Sequence, residues 1–285
     1  MSGKVLLGFA LITPQAYDSI YSRRVVDNYL SRLDRRVIGG RLAGGMKCTG
    51  FVSERDPDRY HAVLRRYLPV PHRSRARGTV LELGCGFGRL SCWLAGKLDV
   101  NFIGIDFSRV AIKRAREFAR NERTSRKPRF KVSDFSNTGL ASSSVMGAIS
   151  LDALYLATDR TRVLRELHRV LIPDGPLFFT VYVRASGRAS RERPSLQTWL
   201  RTLKATKFSV IEHRNVSAKW RHKMRLKHKQ RWNHRHEIIK RLGKAGEAEL
   251  QVSASMLGLG GKPSFLDSVS RFEILALTRK SGAVY

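Results

Sequence analysis

A glycine-rich stretch in the first half of the chain has the residue types and spacing of a ligand-binding turn. It reads Val80-Leu81-Glu82-Leu83-Gly84-Cys85-Gly86-Phe87-Gly88. Glycines let the backbone turn tightly and approach a ligand, and a helix that follows such a turn offers free N–H groups. The G-x-G-x-G spacing after an acidic residue differs from the G-x-G-x-x-G of dinucleotide-binding turns. The alternative is a plain tight turn between a strand and a helix.

Two further carboxylates follow the glycines at intervals that suit a bound nucleoside. Asp106 ends the second predicted strand, 24 residues after Glu82, where a carboxylate can accept hydrogen bonds from both hydroxyls of a ribose. Asp134 follows the third predicted strand and precedes Phe135, whose ring is a candidate to lie against a purine. The alternatives are a helix cap for Asp106 and a turn residue for Asp134.

Candidate catalytic residues lie at the end of the fourth predicted strand and on the first predicted helix. Asp152 leaves the strand at the edge where open parallel sheets bind ligands, so it is a candidate to orient or deprotonate a substrate. Its alternative role is to cap the strand end. Tyr17 and Tyr21 lie four residues apart on one helical face. They are candidates to close over a site, and plain core packing is the alternative.

The elements that must position these residues follow from the hydrophobic pattern. Residues 14–75 show helical periodicity, and from Thr79 onward short apolar runs alternate with amphipathic stretches. This β-α-β-α order predicts a parallel sheet with helices on both faces. The predicted strands are 79–83, 100–105, 129–132, 145–151, 177–183, 208–212 and 271–278, and the predicted helices between them are 89–96, 108–121, 160–171, 195–205 and 219–242.

Taken together, these motifs resemble the class I S-adenosylmethionine-dependent methyltransferases over roughly residues 79–183. The resemblance rests on the glycine stretch, Asp106, Asp134-Phe135 and the stretch from Glu166 to Gly175. Pro173-Asp174-Gly175 departs from the usual Pro-Gly-Gly of that family, at a turn away from the cofactor. The resemblance implies a Rossmann-like, seven-stranded, mostly parallel sheet with a helical N-terminal cap and a helical insertion before the last strand.

The same resemblance implies S-adenosylmethionine as the cofactor. The glycines would cradle its methionine and ribose end, Glu82 its amino group, Asp106 its ribose, and Asp134 with Phe135 its adenine. An ammonium group and a ribose diol both favour carboxylate acceptors. The cofactor-binding residues that this predicts are Glu82, Gly84, Cys85, Gly86, Gly88, Asp106, Phe107, Asp134, Phe135 and Leu151.

The resemblance also suggests how the chain is divided and what it methylates. It predicts a cap over residues 1–75, a cofactor-binding domain over 76–213, a basic lid over 214–262 and a closing strand within 263–285. The stretch Ser150-Leu151-Asp152-Ala153 is similar to that of small-molecule N-methyltransferases, and the Asp/Asn-Pro-Pro-Tyr/Phe motif of base-amine enzymes is missing there. A small-molecule acceptor, including anionic ones, is therefore expected. The alternatives are an RNA methyltransferase and a non-catalytic protein that binds the cofactor or RNA.

Charge is the unusual feature of the composition. The formal net charge is +31, and residues 186–285 carry 22 basic and 7 acidic side chains. The basic stretch 219–242 is interpreted as a solvated lid helix packed by its tryptophans, an RNA- or phosphate-binding element, or a membrane-surface helix. Three cysteines without metal-ligand spacing predict neither a disulfide framework nor a metal site. A cytoplasmic protein without a transmembrane segment is expected.

Overall fold

Seven strands form one sheet in the computed structural model, which describes Leu30, Leu33 and residues 56–69, 78–122, 127–185 and 194–278. The strands are β1 (Thr79–Leu83), β2 (Asn101–Asp106), β3 (Arg129–Val132), β4 (Gly147–Ser150), β5 (Pro176–Arg184), β6 (Phe208–Asn215) and β7 (Val269–Thr278). Their order across the sheet is β3-β2-β1-β4-β5-β7-β6. Strand β1 pairs in parallel with β2 and β4, while β3 and β5 pair in parallel with β2 and β4 respectively.

Strand β7 runs antiparallel to β5. The N–H of Thr278, at the end of β7, donates to the carbonyl of Gly175, just before β5, at 3.2 Å. The N–H of Ala185, just after β5, donates to the carbonyl of Ser268, just before β7, at 3.0 Å. The start of each strand therefore lies beside the end of the other, as in an antiparallel pair. The predicted seven-stranded, mostly parallel Rossmann-like sheet is confirmed.

Helices alternate with the strands as the sequence predicts. They are α1 (Asp56–Tyr67), α2 (Arg89–Ala95), α3 (Arg109–Asn121), α4 (Arg160–Val170), α5 (Leu196–Ala205), α6 (Ser217–Asn233), α7 (Arg235–Leu242), α8 (Lys244–Leu257) and the short α9 (Phe265–Ser268). Ser108 caps α3, because its hydroxyl accepts from the N–H of Ala111 at 3.0 Å. Asp159 caps α4 in the same way, accepting from the N–H of Arg162 at 2.9 Å.

The central strands lie in the core because both of their faces are covered. All four residues of β4 and the first eight of β5 are buried, which matches their nearly continuous apolar sequences. Strand β4 is shorter than the predicted 145–151. Val145 forms only an isolated bridge with Leu171, and the chain leaves the sheet at Leu151.

The described residues fall into two compact units. The sheet unit comprises 56–69, 78–122, 127–181, 196–214 and 272–278, and the helical unit comprises Leu30, Leu33, 182–185, 194–195 and 215–271. Most of the predicted N-terminal cap lies outside the described residues. None of the helices in the described ranges combines the length and apolarity needed to cross a membrane.

The helical unit is built from α6, α7 and α8. Trp220, Met224 and His228 are buried on one face of α6, as their four-residue spacing predicts. The basic stretch is two helices rather than one, since α6 ends at Asn233 and α7 begins at Arg235. The helical unit also contains a buried hydrophobic cluster of Leu30, Leu33, Ile238 of α7 and Leu250 of α8.

Candidate functional site

The glycine turn connects β1 to α2 and has a backbone that other residues rarely adopt. Gly84, Gly86 and Gly88 have φ angles of 71°, 51° and 70°. The N–H groups of Gly84 and Cys85 donate to the carbonyl of Ile105 at 2.8 and 3.0 Å. These bonds hold the beginning of the turn against the end of β2.

Space also requires glycine in this turn. A Cβ at Gly84 would lie 2.2 Å from the Cβ of Ala153 and 3.5 Å from Cζ of Phe135. A Cβ at Gly88 would lie 2.4 Å from Cζ of Phe130. Phe135 follows β3 and Ala153 follows β4, so the segments after two other strands meet the glycine turn at one edge of the sheet.

Asp106 ties the turn to the end of β2. It is 3% exposed, and its two carboxylate oxygens accept from the N–H of Gly86 at 3.0 Å and from the N–H of Ser108 at 2.9 Å. Ser108, not Asp106, caps the following helix with its side chain. A carboxylate accepts hydrogen bonds at both oxygens, which suits this strand end to a ligand that carries hydroxyl groups.

Glu82 is an acid buried beneath the same turn. Its side chain is 5% exposed and accepts a hydrogen bond from the hydroxyl of Ser91 in α2. Burial raises the pKa of Glu82 to about 8, so the carboxyl group is mostly protonated at neutral pH in the protein without ligand. Ser91 was not predicted from the sequence, although a fully buried serine in an apolar helix is a recognisable signal.

Asp134 and Phe135 occupy different environments. Asp134 is exposed, and its Oδ1 accepts from the N–H and the hydroxyl of Ser136 at 2.6 and 2.5 Å. This is the geometry of an Asx turn, the alternative that the sequence left open. Phe135 is 8% exposed beside Gly84. The contact of either residue with an adenine stays a prediction.

The three remaining predicted cofactor contacts are largely apolar and lie near the same strand ends. Phe107 is half-buried directly after Asp106, and Leu151 is buried directly after β4. Cys85 is buried in the glycine turn, and burial raises the pKa of its thiol well above the ordinary value. A thiol in this state is a packing group rather than a nucleophile.

Asp152 has a strained backbone and forms hydrogen bonds with Thr180. Its φ is 54°, in the left-handed region that few residues other than glycine adopt. The hydroxyl of the buried Thr180 in β5 accepts from the N–H of Asp152 at 2.8 Å and donates to its Oδ1 at 3.0 Å. Thr180 was not predicted as a site residue, although a threonine in the middle of the largely apolar strand β5 is a signal that the sequence contains. Strain of this kind is common where a site must hold a side chain in position.

Tyr17 and Tyr21 lie outside the described residues, so their roles stay predictions. Within the described ranges, no cluster of His, Cys, Asp and Glu is arranged to hold a metal ion. The structure therefore brings together the glycine turn, Asp106 and Phe135, and places Asp152 directly before Ala153, which contacts that turn.

Comparisons with known proteins match the part of the chain that contains these residues. A methyltransferase domain family model matches residues 81–179. The methyltransferase GfsG of Streptomyces halstedii is 33% identical over 98 residues, which are 34% of this chain and 35% of GfsG. Tocopherol O-methyltransferase of Arabidopsis thaliana is 29% identical over 120 residues, which are 42% of this chain and 34% of that protein. The matches thus span about a third of the length of these relatives.

Solved structures with the same fold cover nearly the whole chain. The cyclase SpnF has a TM-score of 0.69 at 20% identity, covering 94% of this chain and 97% of SpnF. The cyclopropane synthase MmaA2 of Mycobacterium tuberculosis has a TM-score of 0.69 at 14% identity, covering 97% of this chain and all of MmaA2 (100%). At these identities the likeness establishes the fold alone. Residues 81–179 of this chain are therefore a methyltransferase domain, within a sheet of the class I methyltransferase fold.

Proposed function

We propose that the protein binds S-adenosylmethionine and transfers its methyl group to a small-molecule acceptor. The observation that carries this proposal is the meeting of a three-glycine turn with the Asp106 carboxylate, whose Oδ2 accepts from the N–H of Gly86 at 3.0 Å. Ligands of open parallel sheets bind at this carboxyl edge. The methyltransferase family match over residues 81–179 supports the same cofactor.

The residues around the turn fit this cofactor chemically. The glycines supply the positive φ angles of the turn, and Ala153 fills the position where a Cβ of Gly84 would lie. The Asp106 carboxylate is an acceptor suited to ribose hydroxyls. Glu82 lies in a buried environment where a bound ammonium group would favour its ionised form and lower its pKa again.

When bound, S-adenosylmethionine supplies a methyl group on a positively charged sulfur. A lone pair on the acceptor forms the new bond to that carbon as the carbon–sulfur bond breaks. The protein contributes mainly by holding the reactants in line and excluding water. Where the acceptor atom carries a proton, the proposed role of Asp152 is to orient that atom or to take the proton.

Small-molecule acceptors are favoured by the activities for which relatives are named, which include tocopherol O-methyltransferase and phosphoethanolamine N-methyltransferase. The acceptor atom differs between these enzymes. The net charge of +31 favours anionic acceptors by long-range attraction. The same charge is the observation that favours the second candidate, an RNA methyltransferase.

The proposal is tested by incubating the protein with cofactor labelled in its methyl group and, separately, with small metabolites and total RNA. Label in a small-molecule fraction would support the proposal and identify the acceptor by its mass. Label only in RNA would replace the small-molecule acceptor with RNA. If the cofactor product binds in calorimetry but no label moves, the protein is a non-catalytic cofactor-binding protein. Asp152→Asn serves as the variant that separates binding from transfer.

A further inference from the structure

Helix α6 carries far more charge of one sign than an ordinary surface helix. Its 17 residues include seven Lys and Arg and no Asp or Glu. Surface helices usually intersperse opposite charges, because like charges three and four residues apart repel. The helix itself therefore carries a formal charge of one sign, and its basic side chains differ in their surroundings.

The arginines of α6 are used inside the helical unit. Arg221 donates to the carbonyls of Leu266 and Val269 at 2.9 and 2.8 Å. Arg225 forms an ion pair with Asp267. Arg231 is 8% exposed and pairs with Glu249 of α8 at 3.1 Å. Arg221 and Arg231 hold α6 to the rest of the unit, while Arg225 and Asp267 form an exposed ion pair.

Three of the four lysines of α6 lie on the side of the helix away from the buried residues, and the half-buried Lys227 does not. Lys219 and Lys229 are exposed and Lys223 is half-exposed, whereas Trp220 and Met224 are buried on the other face. Helical spacing of three and four residues places the outer side chains on one strip. We define this lysine face by Lys219, His222, Lys223, Leu226 and Lys229.

We propose that the lysine face binds the surface of an anionic phospholipid bilayer. Lysines near such a surface are attracted by its negative potential, and their aliphatic stems can lie along apolar material while the ammonium groups stay in water. The half-exposed Leu226 lies in the middle of the strip and is the apolar contact for the boundary between headgroups and acyl chains. This interaction goes beyond the proposed methyl transfer and does not depend on it.

The same face is poorly suited to nucleic acid. Single-stranded RNA is bound through several aromatic side chains that stack on successive bases, and His222 supplies the one aromatic ring of the lysine face. Trp220 is buried, and Trp232 is half-buried with the guanidinium of Arg235 at 5.9 Å from its ring. Arginines give the bidentate contacts typical of phosphate and base recognition, and in α6 they are engaged within the unit.

The test is co-sedimentation of the full chain with vesicles of phosphatidylcholine alone and of phosphatidylcholine with about one third phosphatidylglycerol. We expect binding to the anionic vesicles only, with loss as salt approaches about 1 M, where the Debye length is about 3 Å. Each lysine near an anionic surface changes affinity roughly fivefold. The Lys219→Gln/Lys223→Gln/Lys229→Gln variant should therefore bind roughly 100-fold more weakly.

A matched control removes the same charge elsewhere. Lys97, Lys113 and Lys204 are exposed residues of the sheet unit, and their replacement by Gln should leave vesicle binding within about twofold. An equal loss in this control would mean that net charge alone drives binding and would overturn the proposal. Equal binding to neutral vesicles would overturn it too. So would an RNA oligomer that binds more tightly than anionic vesicles and loses affinity in the lysine-face variant alone.

Discussion

Asp106 is the residue on which the proposed cofactor binding should depend most directly, because its carboxylate holds the glycine turn and is proposed to accept from the ribose. Asp106→Ala should weaken binding of S-adenosylhomocysteine by about 1.5–3 kcal/mol, the size expected for lost hydrogen bonds to a charged group. Calorimetry measures this loss. Asp58→Ala, an exposed acid in α1, is the matched control and should bind normally. Unchanged affinity in Asp106→Ala would remove the proposed site.

Glu82 should make stability depend on pH. Its pKa is about 8 in the folded chain against an ordinary value of 4.5, so the protonated form is favoured by folding. The stabilisation that comes from the protonated carboxyl group is complete below about pH 4.5 and is lost as pH rises through 8. The free energy of unfolding should fall by at most about 1.4 kcal/mol per pH unit in this window. Urea unfolding should show Glu82→Gln, which cannot ionise, losing less stability than the parent over this window. Parallel pH profiles for the two proteins would contradict the assignment.

Thr180 should act through Asp152, to which its hydroxyl is joined by two hydrogen bonds. Thr180→Val keeps the shape and removes the hydroxyl, so we expect kcat to fall while binding of S-adenosylhomocysteine stays the same. Thr180→Ser restores the hydroxyl and should restore kcat. The pH–rate profile should also change in Thr180→Val and not in Thr180→Ser. Equal kinetics in the two variants would show that Thr180 has no role in positioning.

Among the elements, the contact between α6 and α8 contains a buried histidine. His228 is 3% exposed, and its Nδ1 lies 3.0 Å from the hydroxyl of Ser253. Burial, and then the nearby charges of Lys227 and Arg231, lower the pKa of His228 well below 6.5. The neutral ring is therefore the folded form, and the unfolded chain takes up the proton first as pH falls.

The stability of the folded chain should consequently decline as pH drops below about 6.5, the ordinary histidine pKa. Denaturant unfolding of His228→Gln should lack this part of the decline, because glutamine can keep a hydrogen bond to Ser253 without titrating. His236→Gln changes an exposed histidine of α7 and should keep the parental profile. If His228→Gln and the parent decline together, the buried ring is not the titrating group.

For the whole molecule, the net charge of +31 should destabilise the folded state by self-repulsion. Raising potassium chloride from about 0.05 to about 0.5 M shortens the Debye length and screens this repulsion. We therefore expect the free energy of unfolding to rise with salt, as measured by chemical denaturation. A decrease in the free energy of unfolding with salt would show that attraction within ion pairs outweighs the repulsion. One such pair joins Arg169 Nε to Glu166 Oε2 at 2.8 Å.

Elements of the fold that have a local signal in the sequence could be predicted from it. Strands β1 and β3 have the predicted bounds, and α3 differs from the predicted helix 108–121 by one residue at its start. The three glycines were predicted to form a tight turn because few other residues adopt positive φ. The break of the basic stretch at His234 was not predicted, since neither a glycine nor a proline marks it.

Contacts between residues far apart in the chain could not be predicted from the sequence and are seen in the tertiary structure. Thr180 lies 28 residues from Asp152, and their hydrogen bonds exist because β4 and β5 pair in parallel. Ser91 covers Glu82 because α2 packs back over the turn that precedes it. In α6 the alternation of Lys and Arg looks uniform along the chain, yet Arg221 and Arg231 contact the rest of the unit, whereas Lys219 and Lys229 are exposed. Strand order and helix packing decide such partners, and a local pattern contains neither.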